Sequence, residues 1–181
     1  MSKLFFTKVL QKFPYLFLAN KNFRTKGLTL LVPDYMLYYV CLHLKLATSS
    51  RFSQLVEIFA YENPVSTSQE KGSYGSIVVY HFHNLFSQDR LFVFTTGLKG
   101  NSSPSPKSIT ELFTTAWWLE REAGEMHGIC FEGKKDLRNL MLQYGDSSAP
   151  FRKSYPSIGV KEIIFDSVTD NIVQTPISIQ I

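Results

Sequence analysis

Apolar residues recur at helical spacing between residues 34 and 47. Asp34 precedes the run and is a residue type favoured at a helix N-cap. The apolar positions fall at i, i+3, i+4 and i+7, which predicts a helix with one core-facing stripe. That stripe consists of Leu37, Val40, Cys41 and Leu44. Because Cys41 lies on the stripe, we expect a buried thiol rather than a reactive one.

Three segments rich in β-branched and aromatic residues follow, at 55–61, 76–83 and 91–96, and each predicts a strand. Polar, turn-rich stretches at 66–75 and 84–90 separate them. Taken in chain order, the strands predict an antiparallel meander packed on the preceding helix.

A second helix is expected after the loop-like segment 97–107. Ser108 and Glu111 match the S-x-x-E capping box, in which two side chains satisfy free backbone amides, so the helix should begin at Ser108. Gly128 is a natural stop. Between them, residues at helical spacing are Phe113, Ala116, Trp117, Glu120 and Gly124.

The chain changes character near Gly145. Asp136 suits the N-cap of a short helix over 137–143, with Gly145 in the C′ position. Farther on, residues 160–165 predict a strand. Few residues of 146–181 could fill a core of their own. We therefore interpret 146–181 as an extended arm that a neighbouring protein must bury.

The N-terminal part is basic: residues 1–33 contain six lysines and arginines and no acid. Phe5, Val9 and Phe13 repeat every four residues, which predicts a short amphipathic helix ending at Pro14. Three interpretations stay open. The segment is a mitochondrial transit peptide, an arm that docks on a partner or on anionic phosphate, or a solvated basic terminus.

Composition supports a folded chain. Of 181 residues, 44% are hydrophobic and 14% aromatic, which is ordinary for a globular core and too apolar for a disordered protein. We expect three parts: a basic extension (1–27), a domain (28–145) and the extended arm (146–181). The expected fold class is α+β, a small antiparallel or mixed sheet packed by helices, with the arm extending from it.

Charge and cysteine content argue against several functions. The net charge of +4 is well short of a dedicated nucleic-acid-binding protein. Two cysteines, Cys41 and Cys130, are too few for an iron–sulfur cluster or a structural zinc site. The most apolar region, 28–46, contains Asp34 and Lys45, so it does not predict a membrane span. Any membrane association should therefore run through a partner.

Candidate catalytic and metal-binding residues are sparse. His81 and His83 would share one face of a strand, and with His127 and a carboxylate they could form a zinc site. An ordinary polar strand face is the better-supported interpretation. Cys130 near His127 is likewise interpreted as an ordinary thiol. Motifs of serine hydrolases, P-loop proteins, dinucleotide-binding proteins and zinc proteases do not occur.

The densest chemical feature is residues 120–138, where five acids and four bases alternate with bulky apolar residues. Glu120 and Glu122 would point about 200° apart on a helix, so they cannot act as one carboxylate pair. Two interpretations stay open: a solvated helix surface with weak ion pairs, or a polar-rimmed protein–protein contact.

The same segment resembles the signature of the 30-kDa subunit family of respiratory complex I. Residues 118–133 (WLEREAGEMHGICFEG) are similar to that family's run of Glu-Arg-Glu, an acid, Met or Leu, an aromatic, Gly, Ile or Val, Phe and Gly. Residues 136–138 (DLR), 144–145 (YG) and 150–156 (PFRKSYP) resemble the segments that follow it, as do 161–166 and 172–176. Three positions depart from the pattern. His127 replaces an aromatic residue, Lys134-Lys135 replaces His-Pro, and Asn139 replaces an arginine.

The resemblance implies an α+β subunit in the peripheral, matrix-side arm of complex I at the mitochondrial inner membrane. It would lie beside the 49-kDa-type subunit and adjacent cluster-bearing subunits, near the quinone-reduction region. The chain would have a structural and assembly role in an NADH:ubiquinone oxidoreductase, with its arm wrapping neighbouring subunits. NADH, FMN, iron–sulfur clusters and ubiquinone would belong to the complex, so no catalytic, cofactor-binding or metal-binding residue is expected in this chain.

The resemblance also marks signature or interface residues. They are Trp118, Glu120, Arg121, Glu122, Glu125, Met126, Gly128, Phe131, Gly133, Asp136, Leu137, Arg138, Tyr144, Gly145, Arg152, Lys153 and Pro156.

Six of the charged signature residues receive specific roles. We predict that Glu120, Arg121 and Glu122 form ion pairs that fix the end of the helix against the domain or a partner. We predict that Arg138, Arg152 and Lys153 bind carboxylates or carbonyls of a neighbouring subunit. A mitochondrial RNA- or ribosome-binding module is the alternative function, motivated by the acid-free N-terminus and the aromatic strands.

Overall fold

The computed structural model describes residues 28–47, 51–64, 74–96 and 105–177. The amphipathic helix predicted within residues 1–27 lies outside these ranges. The described elements are β1 (Leu28–Pro33), α1 (Leu37–Leu46), β2 (Gln54–Pro64), β3 (Tyr74–His83), β4 (Arg90–Thr96), α2 (Ala116–His127), β5 (Lys161–Asp166) and β6 (Asn171–Pro176). The α+β class is confirmed, with a mixed sheet.

The main sheet has the strand order β1-β4-β3-β2. Strands β2, β3 and β4 pair antiparallel with their neighbours, which confirms the predicted meander. Strand β1 was not predicted, and it pairs parallel with β4. Its sequence, LTLLVP, is almost continuously apolar, and such a run shows no alternation by which a strand is recognised.

The core lies between α1 and one face of the sheet. The predicted stripe of α1 is fully buried, and it packs with Tyr80, Phe82 and Val93 of the central strands. Burial raises the pKa of the Cys41 thiol far above its usual range. Cys41 is thus an unreactive core residue, as predicted.

The predicted start of α1 was wrong by three residues. Asp34 begins a 3-10 turn, Asp34–Met36, rather than capping the α-helix. Its Oδ1 accepts a hydrogen bond from the backbone N–H of Tyr35, 2.8 Å away. The α-helix that begins at Leu37 has no side-chain cap, because the 3-10 turn already orients its first amides.

Two other predicted helix features were also wrong. No capping box forms at Ser108, because the side chain of Ser108 bonds to Glu120 and α2 begins only at Ala116. No helix forms over 137–143, because Glu125 accepts hydrogen bonds from backbone amides of that loop. In both places a partner distant in sequence replaces the local helical bond.

The helix end and the arm follow the prediction more closely. Gly128 ends α2 in the left-handed conformation, with φ of 65°. Strand β5 lies one residue later than predicted, and it forms an antiparallel hairpin with β6, which was not predicted. Within the described ranges, no helix has the length and apolar character needed to cross a bilayer.

Candidate functional site

The first part of the site is a buried charge cluster of Ser108, Glu120 and Lys134. Glu120 projects from α2 and is completely buried. One carboxylate oxygen accepts the backbone N–H of Ile109 at 2.8 Å. The other accepts the Ser108 hydroxyl at 2.8 Å and the Lys134 ammonium at 3.0 Å.

The cluster joins three segments of the chain. Lys134 is as buried as its partner, with 3% of its side chain exposed, and it also donates to the carbonyl of Trp117 at 3.1 Å. The backbone of Ser108 donates to the carbonyl of Glu132 at 2.8 Å. A buried ion pair is stable only when the remaining lone pairs and protons are also bonded. Here Glu120 accepts three bonds and Lys134 donates two.

Arg121, the next residue of α2, holds the loop that follows the helix. Its guanidinium donates to the carbonyls of Arg138 and Asn139 at 3.0 and 3.1 Å. It also lies 3.8 Å from the carboxylate of Asp136 and stacks against the Trp118 ring. The Arg121 guanidinium therefore contacts three residues of the loop, Asp136, Arg138 and Asn139.

Asp136 is clamped from the other side by Arg138. Both carboxylate oxygens accept from the Arg138 guanidinium, at 2.9 and 2.8 Å, and one also accepts its backbone N–H. These bonds, with the charges of Arg138 and Arg121, hold the pKa of Asp136 far below its usual range. The carboxylate is therefore ionised throughout the physiological range.

Glu125 lies one turn after Arg121 and holds the next part of the same loop. Its carboxylate accepts the backbone N–H groups of Leu140, Met141 and Leu142. Partial burial opposes ionisation of Glu125, but these three bonds and the Arg121 charge outweigh it and lower its pKa. Residues at i and i+4 share one helix face, so Arg121 and Glu125 act on a single loop.

The beginning of the arm is fixed to the C-terminus of α2. Arg152 donates to the carbonyls of His127 and Gly128, both at 2.9 Å. Phe151 donates its backbone N–H to the carbonyl of Met126, 3.0 Å away. A Cβ on Gly128 would lie 2.5 Å from the Arg152 guanidinium, so glycine is required for this approach as well as for the positive φ.

His127 lies beneath this contact. Its ring is buried and packs edge-on against Phe151, with centroids 5.4 Å apart. Its Nδ1 has no hydrogen-bond partner within the described chain. Burial lowers the pKa of His127, and the neighbouring Arg152 charge lowers it further, against the opposing charge of Glu62. A neutral His127 ring is thus favoured at the position where the family pattern has an aromatic residue.

The charged groups described here therefore bind one another within the chain. A cavity of about 280 Å³ between α2 and its following loop is lined in part by these paired residues. In the described ranges, no three His, Cys, Asp or Glu side chains converge on a possible metal position. His81, the first residue of the candidate zinc pair, instead stacks on Phe92 with ring centroids 4.5 Å apart.

The second part of the site is the exposed arm. Residues opposite each other in an antiparallel pair project to the same side, which places Ile163, Phe165 and Ile172 on one face. Their exposed fractions are 71%, 64% and 75%. We call these three residues the hairpin face. Val168, in the turn, is 90% exposed.

The structure brings together only part of the signature. Glu120 and Arg121 form the predicted ion pairs, both within the chain, whereas Glu122 is exposed and pairs with no described residue. Arg138 and Arg152 bind groups of this chain. Their predicted contacts with a neighbouring subunit stay a prediction. The side chain of Lys153 is exposed, and its backbone N–H donates to Glu62.

The remaining signature residues divide between interior and surface. Phe131 is buried against Gly124, and Met126 is half-buried. The exposed ones are Trp118, Gly133, Leu137, Tyr144, Gly145 and Pro156. Whether these contact a partner stays a prediction. The residue that sequence reasoning missed is Lys134, which was noted only as a departure from the pattern, because nothing near it in sequence points to Glu120.

Comparison with known proteins gives one family. Residues 30–161 match the family described as respiratory-chain NADH dehydrogenase, 30 kDa subunit. The chain is 33% identical over 132 residues to an NADH-quinone oxidoreductase subunit of Ruegeria pomeroyi, covering 73% of this chain and 62% of the relative. It is 32% identical over 152 residues to the mitochondrial NADH dehydrogenase [ubiquinone] iron-sulfur protein 3 of Candida albicans, covering 84% and 51%. The chain thus spans about half to three-fifths of the length of these relatives.

Two solved structures share the fold. A trypsin-resistant fragment of Nqo5 aligns with a TM-score of 0.54 at 22% identity, over 73% of this chain and 98% of the fragment. One chain of the membrane-bound sulfane sulfur reductase, an archaeal respiratory membrane complex, aligns with a TM-score of 0.64 at 19% identity, over 86% of both chains.

Proposed function

The chain belongs to the 30-kDa subunit family of respiratory-chain NADH dehydrogenase, and from this premise we propose that it is a structural subunit of proton-translocating NADH:ubiquinone oxidoreductase. It lies in the peripheral arm, on the matrix side of the mitochondrial inner membrane, near the quinone-reduction region. The chain itself carries no redox centre. NADH, FMN, iron–sulfur clusters and ubiquinone are bound elsewhere in the complex.

The observation that carries this proposal is the exposed hairpin face. A two-stranded hairpin is marginally stable alone in water, and contiguous exposed apolar groups mark interaction sites. Burying a large apolar side chain yields about 1.5–3 kcal/mol. The three residues of the hairpin face are exposed in the isolated chain, so a partner surface is where that free energy is gained.

The signature supports the same role from within the domain. Arg121 and Glu125 hold the loop after α2, and Arg152 fixes the first residues of the arm. These bonds set the direction in which the arm leaves the domain. Such a scaffold suits a subunit that bridges others, here the 49-kDa-type subunit and adjacent cluster-bearing subunits.

The test is native-gel fractionation of mitochondrial membranes. The chain should migrate in a large assembly with in-gel NADH dehydrogenase activity. Replacing the hairpin face (Ile163→Lys with Phe165→Lys) should remove it from that assembly, whereas Gln174→Lys, on the same face, should not. Circular dichroism of the purified chains should show the same fold. Migration as a free species would refute the proposal, and migration with ribosomes would favour an RNA-binding function.

A further inference from the structure

A groove of about 470 Å³ runs between α2 and β2, which is an edge strand of the main sheet. The strand contributes residues 57–62, and the first residues of the arm, Phe151 and Lys153, also line the groove. The helix contributes residues at i, i+3, i+4 and i+7, which share one helix face. They are Leu119, Glu122, Ala123 and Met126. We call this concavity the α2–β2 groove.

The α2–β2 groove is apolar at its floor and open above it. Three of its lining residues belong to the core cluster: Ile58, Ala60 and Ala123. Around them, Phe59 and Tyr61 are each 38% exposed, and Phe151 is 62% exposed. Apolar surface in this groove is therefore accessible to another molecule. The volume is within the range of about 300–1,000 Å³ that is typical of binding sites.

Acidic side chains line the same groove. Glu57 and Glu122 are exposed, and Glu62 is half-buried. Among the described lining residues the only cation is Lys153, since His127 is favoured in its neutral form. Three acids against one base give the groove a formal charge of −2, although the whole chain carries +4. None of the three carboxylates forms an ion pair with another described residue.

A buried polar atom beside the groove also lacks a partner. His127 lines the groove with 8% of the residue exposed, and its Nδ1 has no hydrogen-bond partner within the described chain. Buried polar side-chain atoms in folded proteins are nearly always bonded. An unbonded ring nitrogen beside an open groove is therefore typical of a position that a polar group from outside the chain completes.

The shape of the groove suits an extended polypeptide. Residues 57–62 of β2 cover five steps of about 3.4 Å, or about 17 Å in all. An edge strand presents backbone N–H and C=O groups that a further chain can bond. A long groove of this kind along an edge strand fits an extended segment better than a compact small molecule.

The groove also accounts for signature residues that have no partner within the described chain. Arg121 and Glu125 lie on the opposite side of α2, where both bind the loop that follows the helix. Glu122 and Met126 lie on the groove side, where the carboxylate is unpaired and the thioether is half-buried. One side of α2 is thus satisfied within the chain, and the other presents an acid and an apolar group to the groove.

We propose that the α2–β2 groove binds an extended basic segment of a neighbouring subunit, with lysine or arginine against Glu57 and Glu122 and an apolar side chain over Met126. The inference rests on the proposed function, which supplies the neighbouring subunit. Burial of the apolar side chain contributes affinity, and the acidic rim fixes the register and disfavours acidic segments.

Charge reversal at the rim tests the proposal in the assembly. Glu57→Lys combined with Glu122→Lys is compared on native gels with Glu132→Lys, which changes an exposed glutamate outside the groove. We expect at least about tenfold less of the double variant in the large assembly, because like charges facing each other across an interface oppose binding. Glu132→Lys should assemble like wild type, and all three purified chains should have the same Tm.

The outcomes separate the two proposals. Equal assembly of the double variant and of Glu132→Lys refutes the groove inference and leaves the proposed function standing. A wild-type chain that is found outside any large assembly refutes the proposed function itself.

A second measurement needs no substitution, so it also covers a double variant that does not fold. Carboxylates of the unmodified chain are labelled with a carbodiimide and glycine ethyl ester, in the purified full chain and in the isolated assembly. Mass spectrometry should find Glu57 and Glu122 labelled in the free chain and protected in the assembly, because an interface excludes the reagent. Equal labelling in both samples overturns the inference. Protection already in the free chain overturns it too, since the chain would then cover its own groove.

Discussion

Removing the charge of Lys134 tests the buried charge cluster directly. Lys134→Met keeps the length of the side chain but leaves the Glu120 carboxylate buried without its cation. Removing one partner of a buried ion pair destabilises a protein by about 3–5 kcal/mol. We expect the lower part of that range, because Glu120 keeps its bonds to Ser108 and to the backbone of Ile109.

The assay is thermal and urea unfolding of the full chain, followed by circular dichroism. For a chain of this size, 1 kcal/mol shifts Tm by about 2–4 °C, so a loss of about 3 kcal/mol lowers Tm by about 6–12 °C. Lys135→Met is the matched control, since the neighbouring lysine is exposed. It should change stability by no more than about 0.5 kcal/mol.

A double variant separates charge burial from packing. Glu120→Gln removes the negative charge; its amide oxygen still accepts the Ile109 N–H, and its NH2 group can donate to the Ser108 hydroxyl oxygen. Combined with Lys134→Met, it should recover part of the lost stability, giving a coupling energy of about 0.5–3 kcal/mol. If Lys134→Met unfolds like wild type and like Lys135→Met, the pair is not a structural element and the reasoning fails.

Three further contacts give predictions. Glu125 has a lowered pKa, so its ionised form stabilises the fold above its usual titration range, and this contribution is lost as the pH falls. Glu125→Gln should therefore reduce the free energy of unfolding at pH 7. In urea unfolding measured at several pH values, it should also weaken the loss of stability at acid pH. His127 also has a lowered pKa, so below about pH 6.5 the unfolded chain binds more protons than the folded chain, and stability falls there. His127→Phe should abolish this loss of stability in the same urea-unfolding measurements. Gly128→Ala should lower Tm, since a left-handed non-glycine residue costs about 1–2 kcal/mol and the Cβ displaces Arg152. Arg152→Ala should reduce the abundance of the assembly on native gels, and normal abundance would remove Arg152 from the scaffold.

Local patterns predicted much of the fold. The stripe of α1, the three meander strands, the end of α2 at Gly128 and strand β5 each depend on residues close in sequence. Hydrophobic period and glycine conformation are local properties, so they can be read from a short window. The resemblance of residues 118–133 identified the family for the same reason.

The helix predictions were wrong where residues distant in sequence contact each other. Ser108 and Glu111 form a sound local capping box, yet the Ser108 hydroxyl bonds to Glu120, 12 residues away. Residues 137–143 have a helical pattern, but their amides bond to Glu125. A buried or partly buried carboxylate that needs donors outcompetes a local helical turn, because leaving the carboxylate unpaired costs more free energy than the turn contributes.

Variants of this chain can fail to assemble in two distinguishable ways. The signature charges Glu120, Arg121 and Glu125 are satisfied within the chain, so they have little capacity left for a partner. Variants there should lower Tm first and lose assembly as a consequence. The hairpin face is exposed and lies outside the described core cluster, so variants there should lose assembly at unchanged Tm. Contacts between subunits are therefore to be sought on exposed apolar residues, and the charged signature is the frame that positions them.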